Sequence, residues 1–337
     1  MIDLIIALTK VLDQSAKQAI SDWLEASPKR AAWHLISDYV FDDPDRHDTA
    51  SFVVLLHHDS LDTILGYIQN QAPSDIKRTR DASPGLIRYL NSSVVFSFTF
   101  VLDEGDRFLA SYSSIEEMIG GLEELGRIAD AMSDHAGNSD PYYMQARQRF
   151  EKFSSELRHR GNAKLARQIF LVAAYAAVVL DYLDQVTDPA FASWVSDRDA
   201  LLERHDGVVW DVAAFLFYLM KGRRTPTVEA TVTRLSVPEI MHIRPEKEGP
   251  NYLDPLIRMP DYLAAAASDM NLQTLDQSKS KLADISASCF AGSANHVLCT
   301  VTWTGMGFFV RRLRLVRDPL SPDRKCKPGF PPVRGRT

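Results

Sequence analysis

The sequence is poor in cysteine and has no long apolar run. Three cysteines, Cys289, Cys299 and Cys326, stand in 337 residues, and none forms a C-x-x-C pair. That excludes a disulfide framework and a cysteine-rich zinc site, and it fits a reduced cytoplasmic protein. No apolar stretch reaches the ~18 residues that a membrane helix needs. The longest runs from Ile169 to Leu180, between Arg167 and Asp181, and reads as the middle of a buried helix. The first residues, Met1-Ile2-Asp3-Leu4-Ile5-Ile6, carry no basic segment and no small-residue cleavage site, so secretion is not expected. Also missing are GxGxxG, G-x-x-x-x-G-K-[ST], H-E-x-x-H and G-x-S-x-G, so no familiar nucleotide, zincin or serine-hydrolase signature is at hand. His57 and His58 are adjacent at the end of a predicted strand, where neighbours face opposite ways and cannot easily share one metal.

What is present is an ordinary globular composition, 45% hydrophobic and 24% charged, with a net charge of −6. The charge is unevenly placed. Residues 311–337 hold nine basic and two acidic side chains, so the remainder stands at −13. Five of the 17 prolines share that stretch. It reads as a basic tail, disordered after about Val316, that either contacts phosphates or is simply solvated.

Periodicity places helices over 1–26, 61–70, 84–91 and 208–220. Strands are expected at 33–41, 51–56, 94–102 and 191–195, with Val228 to Val237 as a further alternating strand. From Ile115 to about Leu183 the pattern is helical, with breaks at Gly120-Gly121 and at 137–141. Residues 240–255 read as loop, and Pro260 marks the start of a helix over Asp261 to Met270. The division is an N-terminal helix (1–30), the first part of an α/β core (31–114), a helical insertion (115–188), the second part of the core (189–316) and the tail (317–337). The expected architecture is a mixed sheet flanked by helices, with a large central helical insertion.

The candidate chemistry rests on acids at the ends of regular elements. Asp38 interrupts an apolar strand, where a buried carboxylate is costly unless it is paired or binds a cation. Asp197 and Asp199 follow the strand at 191–195, and Asp261 opens the late helix. Carboxylates from separate elements can converge on Mg²⁺ or Mn²⁺, which take oxygen ligands. Each acid also has a plain structural reading: Asp261 favours the helix macrodipole, Asp197 and Asp199 sit in an exposed loop, and Asp38 pairs with an arginine.

Three segments carry a resemblance: Ile36-Ser37-Asp38-Tyr39-Val40-Phe41 with Phe52-Val53-Val54-Leu55, then Asp75-Ile76-Lys77 before the strand Val94 to Leu102, then Arg258-Met259-Pro260-Asp261-Tyr262-Leu263-Ala264-Ala265. Together they resemble a broad bacterial family of uncharacterised nucleases on the RNase H-like fold, over residues 31–110 and 190–305. The resemblance implies a two-metal nuclease acting on RNA or DNA. Asp38 and Asp261 would be metal ligands, Asp197 or Asp199 would complete the site, and Asp75 and Lys77 would orient phosphate or water. The chain departs from the family in having Asp rather than Glu at position 75, Pro260 in place of a small residue, and a helix ahead of Asp38. Asp42 or Asp43 is the substitute if Asp38 is out of register, and a degenerate site that does not cleave is the other outcome. The alternative function is a non-catalytic binding protein, its helical insertion serving as a partner surface or homodimer interface. The apolar runs 169–180 and 212–220 motivate it, unless they cover each other.

Overall fold

The computed structural model describes residues 1–28, 30–103, 108–109, 111–135, 141–159, 161–186, 191–224, 240–246, 248–249, 251–317 and 326–328. Seven strands form one mixed sheet: β1 (Ala32–Val40), β2 (Thr49–Leu56), β3 (Val95–Asp103), β4 (Phe191–Ser196), β5 (Ile240–Ile243), β6 (His296–Trp303) and β7 (Phe308–Leu313). Their order is β5-β4-β1-β2-β3-β6-β7. β1, β2 and β3 form an antiparallel meander, as the short link at 42–48 predicts. β4 lies parallel to the free edge of β1, and β5 parallel to β4. β6 adds parallel to β3, and β7 closes that side antiparallel. The central strands are covered on both faces, so β2 is buried at all eight positions and its sequence reads as a continuous apolar run.

One face of the sheet carries α1 (Ile2–Ser15), α2 (Lys17–Glu25), α5 (Ile115–His135), α6 (Pro141–Arg158), α7 (Ala163–Val186), the short α8 (Ala200–Glu203) and α9 (Val208–Arg224). The other carries α3 (Leu61–Gln71), α4 (Pro84–Leu90), α10 (Asp254–Ser268) and α11 (Ser280–Ile285). The period of two in the strands sorts the side chains. Trp33, Leu35, Phe52 and Phe100 face the first layer, whereas Ile36, Val53, Leu55 and Val101 face the second. Phe100 stacks on Tyr175 of α7 with centroids 4.2 Å apart, fastening the helical layer to the sheet. Asp211 of α9 takes two bonds from Arg149 of α6, at 2.5 and 2.9 Å.

The expected central insertion is therefore one layer of the fold, continuous with the sheet's own core. Residues 169–180 are buried throughout, and α9 packs along them. The two apolar runs cover each other, which removes the observation that pointed to a partner surface. Among the described residues, one helix, 163–185, is long and apolar enough to cross a membrane, and its most apolar stretch is 83% buried inside the protein.

Several expectations are corrected. The first helical segment is two helices, with Ala16 between them out of helical geometry. Helix α5 runs straight through Gly120-Gly121. Its start is a capping box, in which Ser114 Oγ accepts from Glu117 N–H and the Glu117 carboxylate accepts from Ser114 N–H. That start and the apolar stripe Met118, Leu122, Leu125, Ala129 and Met132 outweigh the ~1 kcal/mol that each glycine costs. Residues 240–255 are not all loop: Ile240–Ile243 is the edge strand β5, and α10 begins at Asp254 with Pro255 in its first turn. Pro260 lies inside α10, and Asp261 is in the helix interior rather than at its start. The tail is ordered in part, since β8 (Leu315–Arg317) pairs antiparallel with β9 (Cys326–Pro328). The strand expected at 228–237 and the rest of the tail lie outside the described residues.

Candidate active site

The carboxyl ends of the parallel pair β1–β4 lie beside α10, which packs across β1 and β2. Such ends are where open α/β sheets present ligand crevices. Three acids meet there from three elements. Asp38 has the same parity as Ile36 and so projects to the α10 face. Ser37 is paired with Ser196, and one step further along both strands stand Asp38 and Asp197. Asp261 reaches the same place from α10, which packs across β1 and β2.

Their electrostatics are those of crowded like charges. Asp38 is partly exposed, and its carboxyl lies well above the usual range. Desolvation is the first cause, followed by repulsion from Asp261 and from Asp197. Asp261 is 5% exposed. Desolvation and the Asp75 charge push its carboxyl up to about 7, opposed by the Ile76 N–H, Lys77 and Arg258. Asp197 is also raised, by desolvation first and then by Asp254 and Asp199, while the Arg198 N–H bond at 2.6 Å pulls the other way. Among the described residues, none of the three makes an ion pair. The arginine partner considered for Asp38 is therefore not found.

A short turn closes the site. Residues Ile76–Arg78 form one turn of 3₁₀ helix, capped by Asp75, whose carboxylate accepts from Lys77 N–H at 2.7 Å. The Ile76 N–H donates to Asp261 Oδ2 at 3.3 Å. From below, the ammonium of Lys281, 7% exposed, donates to the carbonyls of Ile76 at 2.5 Å and Thr79 at 2.7 Å. Lys77, Arg78 and Arg80 are exposed on this turn.

The sequence-predicted residues are thus brought together in part. Asp38, Asp261 and Asp197 converge. Asp75 anchors the turn but lies close enough to act on Asp261, and Lys77 acts on both Asp38 and Asp261. Asp199 is taken up elsewhere: its carboxylate caps α8 by accepting from Leu201 N–H at 2.8 Å. Asp42 pairs with Lys164 of α7 at 2.5 Å, and Asp43 pairs with Arg46, so neither substitutes for Asp38. Asp254, Arg258 and Lys281 were not among the candidates. The spacing 254, 258, 261 places the first two on the face of α10 that bears Asp261, a signal hidden while the helix was started at 261. Lys281 had no local signal, because its role depends on contacts about 200 positions away.

Three basic clusters of the sequence, at 77–80, 221–224 and 311–314, separate in the same way. Lys221 pairs with Asp184 at 2.9 Å. Arg312 and Arg314 donate to the Ser15 carbonyl at the end of α1. Only the Lys77-Arg78-Arg80 cluster borders the acids.

The donor set suits a hard cation in kind. It is made of carboxylates, its charges repel one another, and a cation would offset what Lys77 and Arg258 leave over. It suits one by pairs only: among the described residues, no three acid, histidine or cysteine side chains stand close enough to hold one ion. No protein family, curated protein or solved structure matches the chain.

Proposed function

We propose that the protein is a metal-dependent nuclease of RNase H-like fold, hydrolysing phosphodiester bonds of RNA or DNA. The observation that carries the reading is the meeting of Asp38, Asp197 and Asp261 from β1, the end of β4 and α10, with no ion-pair partner among the described residues. The strand arrangement supports it. An acid-bearing first strand lies between its antiparallel meander and a parallel fourth strand, and a late helix bearing an acid crosses it.

Asp38 and Asp261 would hold Mg²⁺ or Mn²⁺ as a pair, with Asp197, in place of Asp199, beside them as a third negative charge. A bound cation would stabilise charge on a phosphoryl oxygen and favour ionisation of an attacking water. The chain's own groups have separate tasks. The Ile76 N–H holds one oxygen of Asp261, which fixes the direction of the other. Lys77 offers an exposed ammonium at the rim, where a phosphate would pass. Asp75 and Lys281 keep that turn in place from opposite sides.

The test is hydrolysis of labelled single- and double-stranded RNA and DNA with Mg²⁺ or Mn²⁺, by the wild type, Asp38→Asn and Asp261→Asn. Cleavage that both variants lose while keeping the wild-type circular dichroism supports the reading. No cleavage of any substrate, or full activity in Asp38→Asn, overturns it.

A further inference from the structure

At the far end of β1 from Asp38, on the same face of the sheet, two histidines meet. His34 lies within β1, and His57 directly follows β2. The β1–β2 register pairs His34 with Leu55 and Trp33 with Leu56, so His57 comes to the start of β1 by continuation of the hairpin. The imidazole Nε2 of His34 stands 2.9 Å from Nδ1 of His57, with ring centroids 5.1 Å apart. The other nitrogen of His34, Nδ1, is 2.7 Å from Ser193 Oγ on β4. His34 is 6% exposed and Ser193 fully buried, whereas His57 is open to solvent.

We propose that His34 and His57 form a binding site for a borderline divalent cation of the Zn²⁺, Ni²⁺ or Cu²⁺ class, separate from the acid cluster. With Nδ1–H of His34 donated to Ser193 Oγ, Nε2 of His34 accepts the hydrogen bond from His57 Nδ1–H. A cation would take the place of that proton, with His57 in its Nε2–H tautomer. Histidine ligands commonly have their second nitrogen engaged in this way, which fixes the ring and its basicity. Two imidazole nitrogens bound to Zn²⁺ at ~2.0–2.1 Å in tetrahedral geometry stand about 3.3 Å apart. The pair is within a few tenths of an ångström of that separation. His34 is held by the sheet and Ser193, and His57, exposed after a strand end, is the ring that can turn to open the gap.

Imidazole donors select against Mg²⁺, which takes oxygen, and favour Cu²⁺ and Zn²⁺ among the first-row ions. No third protein ligand joins the pair among the described residues, so the remaining positions would be filled by water from the exposed side. Histidine 58, adjacent in sequence, is not part of the site. Its Nδ1 lies 2.9 Å from the Leu56 carbonyl and its ring packs by Tyr89. This inference does not rest on the nuclease reading.

The experiment is calorimetric titration of chelator-treated full-length protein with Zn²⁺, and separately with Ni²⁺, at pH 7.5. It is run on the wild type, His57→Ala, His34→Gln and Asp38→Asn. His57 is exposed and lies outside the strands, so His57→Ala is expected to fold as the wild type does. The expected result is one site in the wild type, weakened at least tenfold in His57→Ala and His34→Gln, and unchanged in Asp38→Asn. Affinity unchanged in His57→Ala overturns the proposal. So does binding lost only in Asp38→Asn, which would put the ion at the carboxylates, and so does the absence of binding in the wild type.

Discussion

Asp38 and Asp197 stand side by side on neighbouring parallel strands, one step past the last paired residues, Ser37 and Ser196. Two carboxylates placed so in a partly desolvated site repel each other, and Asp261 adds a third charge from above. Such an arrangement costs stability when nothing is bound. Asp38→Asn keeps the shape and removes one charge. The expected outcome is a protein more stable by about 1–2 kcal/mol at pH 8 and slower in hydrolysis by at least ~10²-fold, the scale of losing a group that stabilises transition-state charge. Urea denaturation and the cleavage assay read the two effects separately. A variant that is destabilised and active would mean that Asp38 is a structural acid.

Much of this site was legible in the residues. An acid inside Leu35-Ile36-Ser37-Asp38-Tyr39-Val40 conflicts with the strand around it, and that conflict marks position 38 without any contact being known. Asp197 was visible as an acid at a strand end. The choice between Asp197 and Asp199 was not, because it turns on which carboxylate caps α8. The start of α10 was misplaced because Pro260 reads locally as a helix boundary. Burial of Leu256, Ile257 and Met259 ahead of it keeps the helix intact without the amide that proline lacks. The flanking sheet layers were legible as a class from the alternation of strands and helices. The pairing of β6 with β3 was not, since it joins segments about 200 residues apart.

Asp261 gives the protein a stability limb that falls as pH rises. Its carboxyl is raised from 3.8 to about 7 by desolvation and by Asp75. Between about pH 4 and 7 the folded form therefore keeps a proton that the unfolded chain has released. Stability is fully present below the lower value and is lost as pH climbs through the upper one. Asp261→Asn cannot ionise and should flatten this limb, leaving the variant more stable at pH 8 by up to about 4 kcal/mol, at 1.36 kcal/mol for each pH unit. Denaturant midpoints at pH 5, 6, 7 and 8 measure it. Parallel curves for variant and wild type would assign the limb to another group. In the wild type, 5 mM Mg²⁺ should raise the thermal midpoint more at pH 8 than at pH 5.5, because protons compete for the same oxygens.

Lys281 ties the turn at 76–79 to the layer beneath. Its ammonium meets two backbone carbonyls, those of Ile76 and Thr79, in a nearly closed environment. Lys281→Met keeps most of the stem and removes the donor. The Thr79 carbonyl then loses this partner, and the Ile76 carbonyl keeps the Thr79 N–H and hydroxyl. The expected loss is about 2–3 kcal/mol, the range for stranding buried polar groups bonded to a charge. The same turn supplies the N–H that holds Asp261, so the metal-induced rise in thermal midpoint should shrink as well. A variant that loses stability but keeps the full metal response would confine Lys281 to folding.

His296 shapes the acid side of the stability curve, in the opposite sense to Asp261. It is buried at the start of β6, with Nδ1 2.6 Å from Ser97 Oγ, and desolvation lowers its imidazole from 6.5 to about 3. His242, packed against Trp194 and Trp210, is lowered to about 3 as well, by desolvation and then by Arg244 and Arg149. A group lowered in this way is neutral in the fold and takes up a proton on unfolding. Its contribution is present above pH 6.5 and is lost as pH falls toward the folded value. Below about pH 6 the two histidines therefore oppose the stabilisation that protonation of Asp261 brings over the same range. His296→Gln keeps a polar partner for Ser97 without the titration. It should make the acid limb shallower between pH 6 and 4. Asp261 acts over the overlapping range of about pH 4 to 7 with the opposite sign, so Asp261→Asn should make that limb steeper. The double variant should show both changes added, since the two groups sit on different elements and share no partner. An unaltered acid limb in His296→Gln would transfer that limb to His242 or His34, both also lowered by desolvation, and His242→Gln and His34→Gln are the variants that would then separate them.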